Sequence, residues 1–122
     1  MLDNKITFFV PGIPYAKQSF RYNRTGGYGY QKQGVKDWQS TIAQHASISY
    51  RDPDPATMPL YVKLVFNLAA DRADLDNLAK AVNDGLQGVI FHNDKQIRRM
   101  FLEKKMCKEN PGVTITIAKY RG

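Results

Sequence analysis

The chain has 122 residues, of which 43% are hydrophobic and 24% are charged, as expected of a small globular domain. Eighteen lysines and arginines outweigh eleven acids, so the formal net charge is +7, which is typical of a protein with a polyanionic partner such as nucleic acid. No apolar run is long enough to span a membrane, and a single cysteine excludes an intramolecular disulfide. We therefore expect one cytoplasmic domain over residues 1–122.

The first half of the chain is predicted to form one strand, one long loop and one helix. Alternating apolar residues predict a strand over residues 6–10. Glycine, tyrosine and basic residues dominate residues 15–34, which predicts a long loop with room for a small hairpin. Apolar residues at helical spacing predict a helix over residues 35–49; they are Val35, Trp38, Ile42 and Ala46.

The second half contains the clearest strand pattern of the sequence, because every second residue from Leu60 to Leu68 is apolar. A helix is predicted over residues 77–88, and two further strands over residues 96–107 and 113–120. The order strand, helix, strand, helix, strand, strand predicts an α+β fold. In this fold, two helices pack on one face of a mixed β-sheet.

The predicted loop contains basic side chains and no acid between residues 17 and 36, and aromatic side chains are interleaved with them. Cationic groups neutralise phosphates, and aromatic faces stack on unpaired bases. This composition predicts a DNA-binding segment with contacts from Lys17, Arg21, Arg24 and Lys32. The alternative is a solvated loop that binds nothing.

Acidic residues are concentrated in one region of this basic chain. Five of the eleven acids lie between Asp71 and Asp94, where the only basic residues are Arg72 and Lys80, so the region carries −3. Carboxylates that lie close together repel each other, and a divalent cation is a common compensation. Mg²⁺ prefers oxygen ligands, usually one or two carboxylates together with substrate phosphate and water. The cluster therefore indicates a metal-dependent enzyme that acts on a polyanion.

The alternative for the first acids of this cluster is structural, because Asp is a favoured helix N-cap and either Asp74 or Asp76 could cap the predicted helix. The spacing favours a functional role. Asp76, Lys80 and Asp84 follow one another at i+4 along one side of the helix, away from its apolar side. Asp94 follows the helix in a turn, from which a third carboxylate could fold back.

The run Asp74-Leu75-Asp76-Asn77-Leu78, then Lys80 and Asp84-Gly85-Leu86, and finally Asn93-Asp94 before Gln96-Ile97, resembles the RusA family of Holliday junction resolvases. These are small endonucleases of bacteria and prophages. The resemblance extends over most of the chain, because the Pro-rich start, the basic loop, the first helix and the closing hairpin follow in the same order. Family members often carry arginines directly before the first aspartate, where this chain has Asp71-Arg72-Ala73.

The resemblance implies a homodimer that cuts four-way DNA junctions symmetrically and depends on Mg²⁺, for which Mn²⁺ can substitute. It implies that Asp74, Asp76 and Asp94 are metal ligands and catalytic residues. Lys80 would be the catalytic or phosphate-contacting lysine, and Arg72 would contact DNA. Asp84 is interpreted as a support for Lys80 or as a structural helix residue.

The function predicted from the sequence is thus a Mg²⁺-dependent endodeoxyribonuclease that resolves Holliday junctions by paired phosphodiester hydrolysis. Two other hypotheses remain. One is a non-enzymatic basic DNA-binding module, in which the acids are caps and ion-pair partners. The other is a small metal-dependent hydrolase of nucleotides.

Overall fold

The computed structural model describes residues 4–17, 22–23, 27–28 and 33–122. These ranges contain β1 (Ile6–Pro11), β2 (Tyr22–Asn23), β3 (Gly27–Tyr28), α1 (Gln33–Ser49), β4 (Leu60–Leu68), α2 (Leu75–Leu86), β5 (Ile97–Met106) and β6 (Gly112–Lys119). A 3₁₀ turn, Asp94–Gln96, precedes β5. The long strands and both helices follow in the predicted order, and β2 and β3 form a two-stranded antiparallel ladder within the predicted loop.

β4 lies inside a four-stranded sheet of order β1-β6-β4-β5. It pairs antiparallel with β6 and parallel with β5, so the predicted mixed sheet is confirmed. A parallel pair cannot be joined by a tight hairpin, and α2 provides the crossover from the end of β4 to the start of β5. This connection places the start of α2 beyond the carboxyl end of β4.

One hydrophobic core joins the sheet to both helices. The alternation along β4 is real, because Leu60, Val62, Leu64, Phe66 and Leu68 are all buried while the residues between them are half-buried. Apolar residues of both helices belong to the same cluster, among them Trp38, Ile42 and Ala46 from α1 and Leu78, Val82 and Leu86 from α2. The predicted α+β fold with two helices on one face is therefore confirmed.

The predicted bounds of α2, residues 77–88, are wrong by two residues at each end. Asp74 and Gln87 both have extended backbones and bracket the helix. Gly88 has a φ of +88°, which a helical residue does not adopt. The glycine therefore lies outside the helix, in the chain that leads away from it, and Asp76 is already part of the first helical turn.

The two helices approach each other closely at Gly85, a buried residue of α2. A Cβ atom at this position would lie 2.9 Å from the carbonyl oxygen of Gln39 and 3.0 Å from side-chain carbons of Ile42. Backbone atoms cannot give way as a side chain can, so the absence of a side chain at Gly85 sets how closely α2 sits on α1. In the described ranges, no helix has the length and apolar character needed to cross a membrane.

Candidate functional site

Asp74 and Asp76 lie at the start of α2, where the chain has left the carboxyl end of β4. In open sheets that contain parallel strands, this edge is the usual place for a ligand site. A helix start also carries partial positive charge and backbone N–H groups that favour anions, including phosphate. The crossover therefore brings two carboxylates to a position where a phosphate could also approach.

Asp74 occupies the N-cap position of α2 but does not act as a capping side chain. Its backbone is extended, with φ −71° and ψ 139°, and its side chain makes no capping hydrogen bond. Asp74 and Asp76 are both exposed, and among the described residues neither side chain has a hydrogen-bond or ion-pair partner. The two carboxylates are therefore available to a ligand.

The loop directly before Asp74 is braced by Lys104, which lies on β5. Its Nζ donates a 2.6 Å hydrogen bond to Oδ1 of Asp71 and a 3.0 Å hydrogen bond to the carbonyl oxygen of Ala73. Lys104 pairs in register with Phe66, a buried residue of β4, so its side chain lies on the face of the sheet that carries the core. From this face it reaches the loop before α2. The ammonium group thus fixes the peptide that leads into Asp74.

Lys80 lies one helical turn after Asp76 and one turn before Asp84, on the exposed side of α2. Its side chain makes no hydrogen bond or ion pair with either acid. Asp84 instead contacts Lys17, whose Nζ lies 2.5 Å from Oδ2 of Asp84. Of the two interpretations of Asp84, a support for Lys80 or a structural helix residue, this ion pair with Lys17 agrees with the second.

Asp94 opens the 3₁₀ turn before β5 and is exposed. It lines a shallow pocket of about 280 Å³ together with Asn83, Ile97, Arg98, Arg99 and Met100. Asn83 lies nine residues beyond Asp74, which corresponds to about 13 Å along a helix axis. Within the described ranges, no three His, Cys, Asp or Glu side chains form a group that could hold a metal ion. The structure therefore places Asp74 and Asp76 together at the start of α2 and does not join Asp94 to them in a three-residue group of this kind.

The turn that carries Asp94 is fixed by a capping box. The side chain of Asn93 accepts a 2.9 Å hydrogen bond from the N–H of Lys95. Gln96 Oε1 accepts hydrogen bonds from the N–H groups of His92 and Asn93, and Gln96 Nε2 donates to the carbonyl oxygens of Ala56 and Met58. Gln96 thus ties the Asp94 turn to the chain before β4.

The predicted DNA-binding residues fall into three groups. Lys17 is described and is paired with Asp84. Arg72 is exposed and makes no hydrogen bond or ion pair within the part of the chain that the structure describes. Arg21, Arg24 and Lys32 lie outside the described residues.

Sequence reasoning missed the roles of Lys104 and Gln96. Lys104 belongs to a basic run that reads as the solvent face of a hairpin, and only the pairing of β5 with β4 reveals that it points toward the Asp71–Ala73 loop. Gln96 had a usable signal, because Asn93 followed three residues later by Gln is a capping-box pattern.

The model of the endodeoxyribonuclease RusA family matches residues 11–118, which is nearly the whole chain. No curated protein matched the chain. The matched range begins at the last residue of β1 and ends within β6, so it includes both helices, the braced start of α2 and the Asp94 turn. The chain therefore belongs to the RusA family of endodeoxyribonucleases.

Proposed function

We propose that the chain is a Mg²⁺-dependent endonuclease that resolves Holliday junctions by paired phosphodiester hydrolysis. Family membership implies endodeoxyribonuclease activity on branched DNA. The metal, the residues that carry the reaction, the dimer and a cytoplasmic location are the further parts of the proposal. The net charge of +7 agrees with a polyanionic substrate.

The observation that carries the proposal is the pair of uncommitted carboxylates at the start of α2. Asp74 stands at a cap position without a capping hydrogen bond, and Asp76 is exposed in the first turn. An Asp that caps a helix accepts a hydrogen bond from a backbone N–H of the first turn, and the side chain of Asp74 accepts none. Here the family pattern and the lack of structural partners point to the same two residues.

The donor set at this end of α2 fits Mg²⁺. Mg²⁺ is commonly held by one or two carboxylates, with water and substrate phosphate completing its coordination, and Mn²⁺ accepts the same oxygen ligands. Asp74 and Asp76 would provide those carboxylates. Asp94, from the turn before β5, is proposed as a third ligand.

Phosphodiester hydrolysis requires an activated water, stabilisation of charge on the phosphoryl oxygens and assistance to the leaving oxygen. When bound, Mg²⁺ supplies Lewis-acid polarisation and lowers the pKa of a coordinated water. Lys80 contributes an unpaired ammonium one helical turn from Asp76, and we assign to it the stabilisation of negative charge that develops on the phosphoryl group. The first N–H groups of α2 can bind the same phosphate, because the side chain of Asp74 makes no capping hydrogen bond to them.

Contacts with the arms of the junction are assigned to exposed cations outside this centre. We propose Arg72, directly before the carboxylates, and Arg21, Arg24 and Lys32 in the basic loop. These contacts neutralise backbone phosphates and would make binding depend steeply on salt. Lys17, near the start of the same loop, is engaged by Asp84.

The working species is proposed to be a homodimer. Two incisions on opposite strands need two active centres, and a two-fold symmetric protein matches a four-way junction. Apolar side chains remain exposed on α1 and β5, with Ile48 at 66%, Phe101 at 45% and Met106 at 56% exposure. Sedimentation equilibrium at micromolar concentration, with and without junction, should give twice the mass of 13.9 kDa. A monomer in both samples would overturn this part of the proposal.

The deciding experiment incubates end-labelled four-way junction and linear duplex of the same sequence with the protein, in Mg²⁺ or in EDTA. We expect paired nicks in the junction with Mg²⁺, no nicks in EDTA and little cutting of the duplex. Binding to both DNAs without cutting would favour the DNA-binding module. Intact DNA together with hydrolysis of free nucleotides would favour the nucleotide hydrolase.

A further inference from the structure

The ammonium of Lys80 is uncommitted although two acids flank it at helical spacing. Asp76 precedes it by four residues and Asp84 follows it by four, and i,i+4 pairs of opposite charge ordinarily interact on a helix surface. In the structure Lys80 pairs with neither, and Asp84 is occupied by Lys17 at 2.5 Å. The partner of Asp84 therefore comes from 67 residues away in the sequence rather than from the adjacent turn.

Lys17 reaches Asp84 because its backbone is attached to α2. The N–H of Lys17 donates a 3.0 Å hydrogen bond to the carbonyl oxygen of Asn77, two helical turns before Asp84. Ala16 packs against the hydrophobic core. Tyr15 lies against Gly34 of α1, where an added Cβ would be 2.8 Å from the Tyr15 ring. Residues 15–17 are thus fixed beside α2, and the ion pair follows from this placement.

The two partners are also partly shielded from solvent. The side chain of Lys17 is 35% exposed and that of Asp84 is 36% exposed. Water screens such a pair less than a fully exposed one, while Asp84 remains within reach of an unpaired lysine one turn away. If Lys17 lost its charge, Lys80 would be the nearest cation along the same side of the helix.

From this arrangement we propose that Lys17 is a positioning residue that keeps Asp84 occupied and thereby leaves the Lys80 ammonium free for the substrate phosphate. The inference rests on the proposed function, because it presumes that Lys80 acts on the phosphate. It assigns to Lys17 an action through Asp84 in place of direct contact with DNA.

The test compares the wild type with Lys17→Gln, Asp84→Asn and the double variant in single-turnover junction cleavage at saturating enzyme. Saturation removes differences in DNA affinity from the measured rate. Lys17→Gln should lower the rate roughly two- to fivefold, the range for capture of Lys80 by one partly exposed acid. Asp84→Asn alone should keep the wild-type rate, and adding it to Lys17→Gln should restore the rate to that value.

Two charge-matched controls lie on β5, where Glu103 and Lys105 pair with Val65 and Asn67 on the face of the sheet opposite the core. Lys105→Gln removes the same charge as Lys17→Gln, and Glu103→Gln removes the same charge as Asp84→Asn. Neither should change the single-turnover rate. A loss in Lys17→Gln that persists in the double variant would show that Lys17 acts directly on DNA, and a wild-type rate in Lys17→Gln would show that it has no positioning role.

A second measurement does not depend on cleavage. The side-chain Hε–Cε cross-peak of Lys80 in NMR spectra, assigned by its loss in Lys80→Arg, should move in Lys17→Gln and return in the double variant. If the cross-peak behaves in this way but no variant cuts DNA, the positioning stands and the proposed function fails. An unmoved cross-peak in Lys17→Gln overturns the positioning whatever the activity.

Discussion

Two helical segments of this chain begin with an Asx residue in an extended conformation, and the two residues serve different ends. Asn93 begins the 3₁₀ turn before β5 and is part of a complete capping box with Gln96. Asp74 begins α2, and its side chain makes no capping hydrogen bond. The same position in a helix is thus structural in one case and open to a ligand in the other. The bonding of the side chain, rather than the residue type, distinguishes an Asx residue that is open to a ligand from one that holds a helix end.

The largest effect should come from removal of the uncommitted carboxylates. Asp74→Asn or Asp76→Asn should abolish junction cleavage in Mg²⁺ while junction binding is retained, because loss of negative charge does not weaken attraction to phosphate. Stability should change by less than about 0.5 kcal/mol, because no bond of Asp74 is lost. Gel-shift and cleavage assays on the same preparations check this, and full cutting by Asp74→Asn would refute the site.

Lys80→Ala should reduce the cleavage rate by about 10²-fold, which is typical for loss of a preorganised electrostatic group. Folding should be unaffected, because Lys80 is exposed and pairs with none of the residues that the structure describes. Single-turnover kinetics at saturating enzyme measure the effect. A rate within about threefold of the wild type would leave Lys80 as an ordinary surface lysine.

Substitutions at Gln96 test the capping box that holds the Asp94 turn. Gln96→Ala should lower the free energy of unfolding by about 2 kcal/mol, because the carbonyl oxygens of Ala56 and Met58 and two N–H groups lose their partner. Urea unfolding measures the change. Gln96→Glu is the matched variant, since it keeps the two acceptor bonds but turns a carboxylate oxygen toward the carbonyl oxygens of Ala56 and Met58, and it should also be less stable than the wild type. Equal stability of all three proteins would contradict the role assigned to this network.

The smallest effect is expected at Lys104, which holds the peptide before Asp74. Lys104→Met should slow junction cleavage by roughly threefold to tenfold, because the Ala73 carbonyl and Asp71 lose their common donor and the start of α2 is less well positioned. Lys105→Met is the control, since Lys105 is exposed on the same strand and carries the same charge. Equal rates in the two variants would show that Lys104 does not position the site.

The fold could be predicted from the sequence where a single hydrophobic periodicity dominates a segment. The alternation from Leu60 to Leu68 predicted a strand and its buried side, and the structure agrees with both. The bounds of α2 were less accessible. Gly88 read as the end of the helix, whereas the extended backbone of Gln87 ends it earlier. Helix ends depend on local backbone geometry that residue spacing does not reveal.

The site was accessible only in part, because its contacts join distant segments. The run from Asp74 to Lys80 was visible as a local motif. The pairing of Lys17 with Asp84 and the reach of Lys104 to Ala73 span 67 and 31 residues, and they exist only once the sheet and the crossover helix are assembled. The local sequence places Asp84 one helical turn after Lys80. The tertiary structure then brings Lys17 to Asp84, and Lys17 forms the ion pair instead.

Gly85 has a consequence for random mutagenesis of this chain. Any side chain added there meets the Gln39 carbonyl, so α2 must move away from α1, and Asp76 and Lys80 move with it. Substitutions at this buried glycine would therefore inactivate the protein without altering any group that touches the substrate. In a genetic screen such alleles would resemble active-site mutations, and sensitivity to heat would distinguish them from true ones.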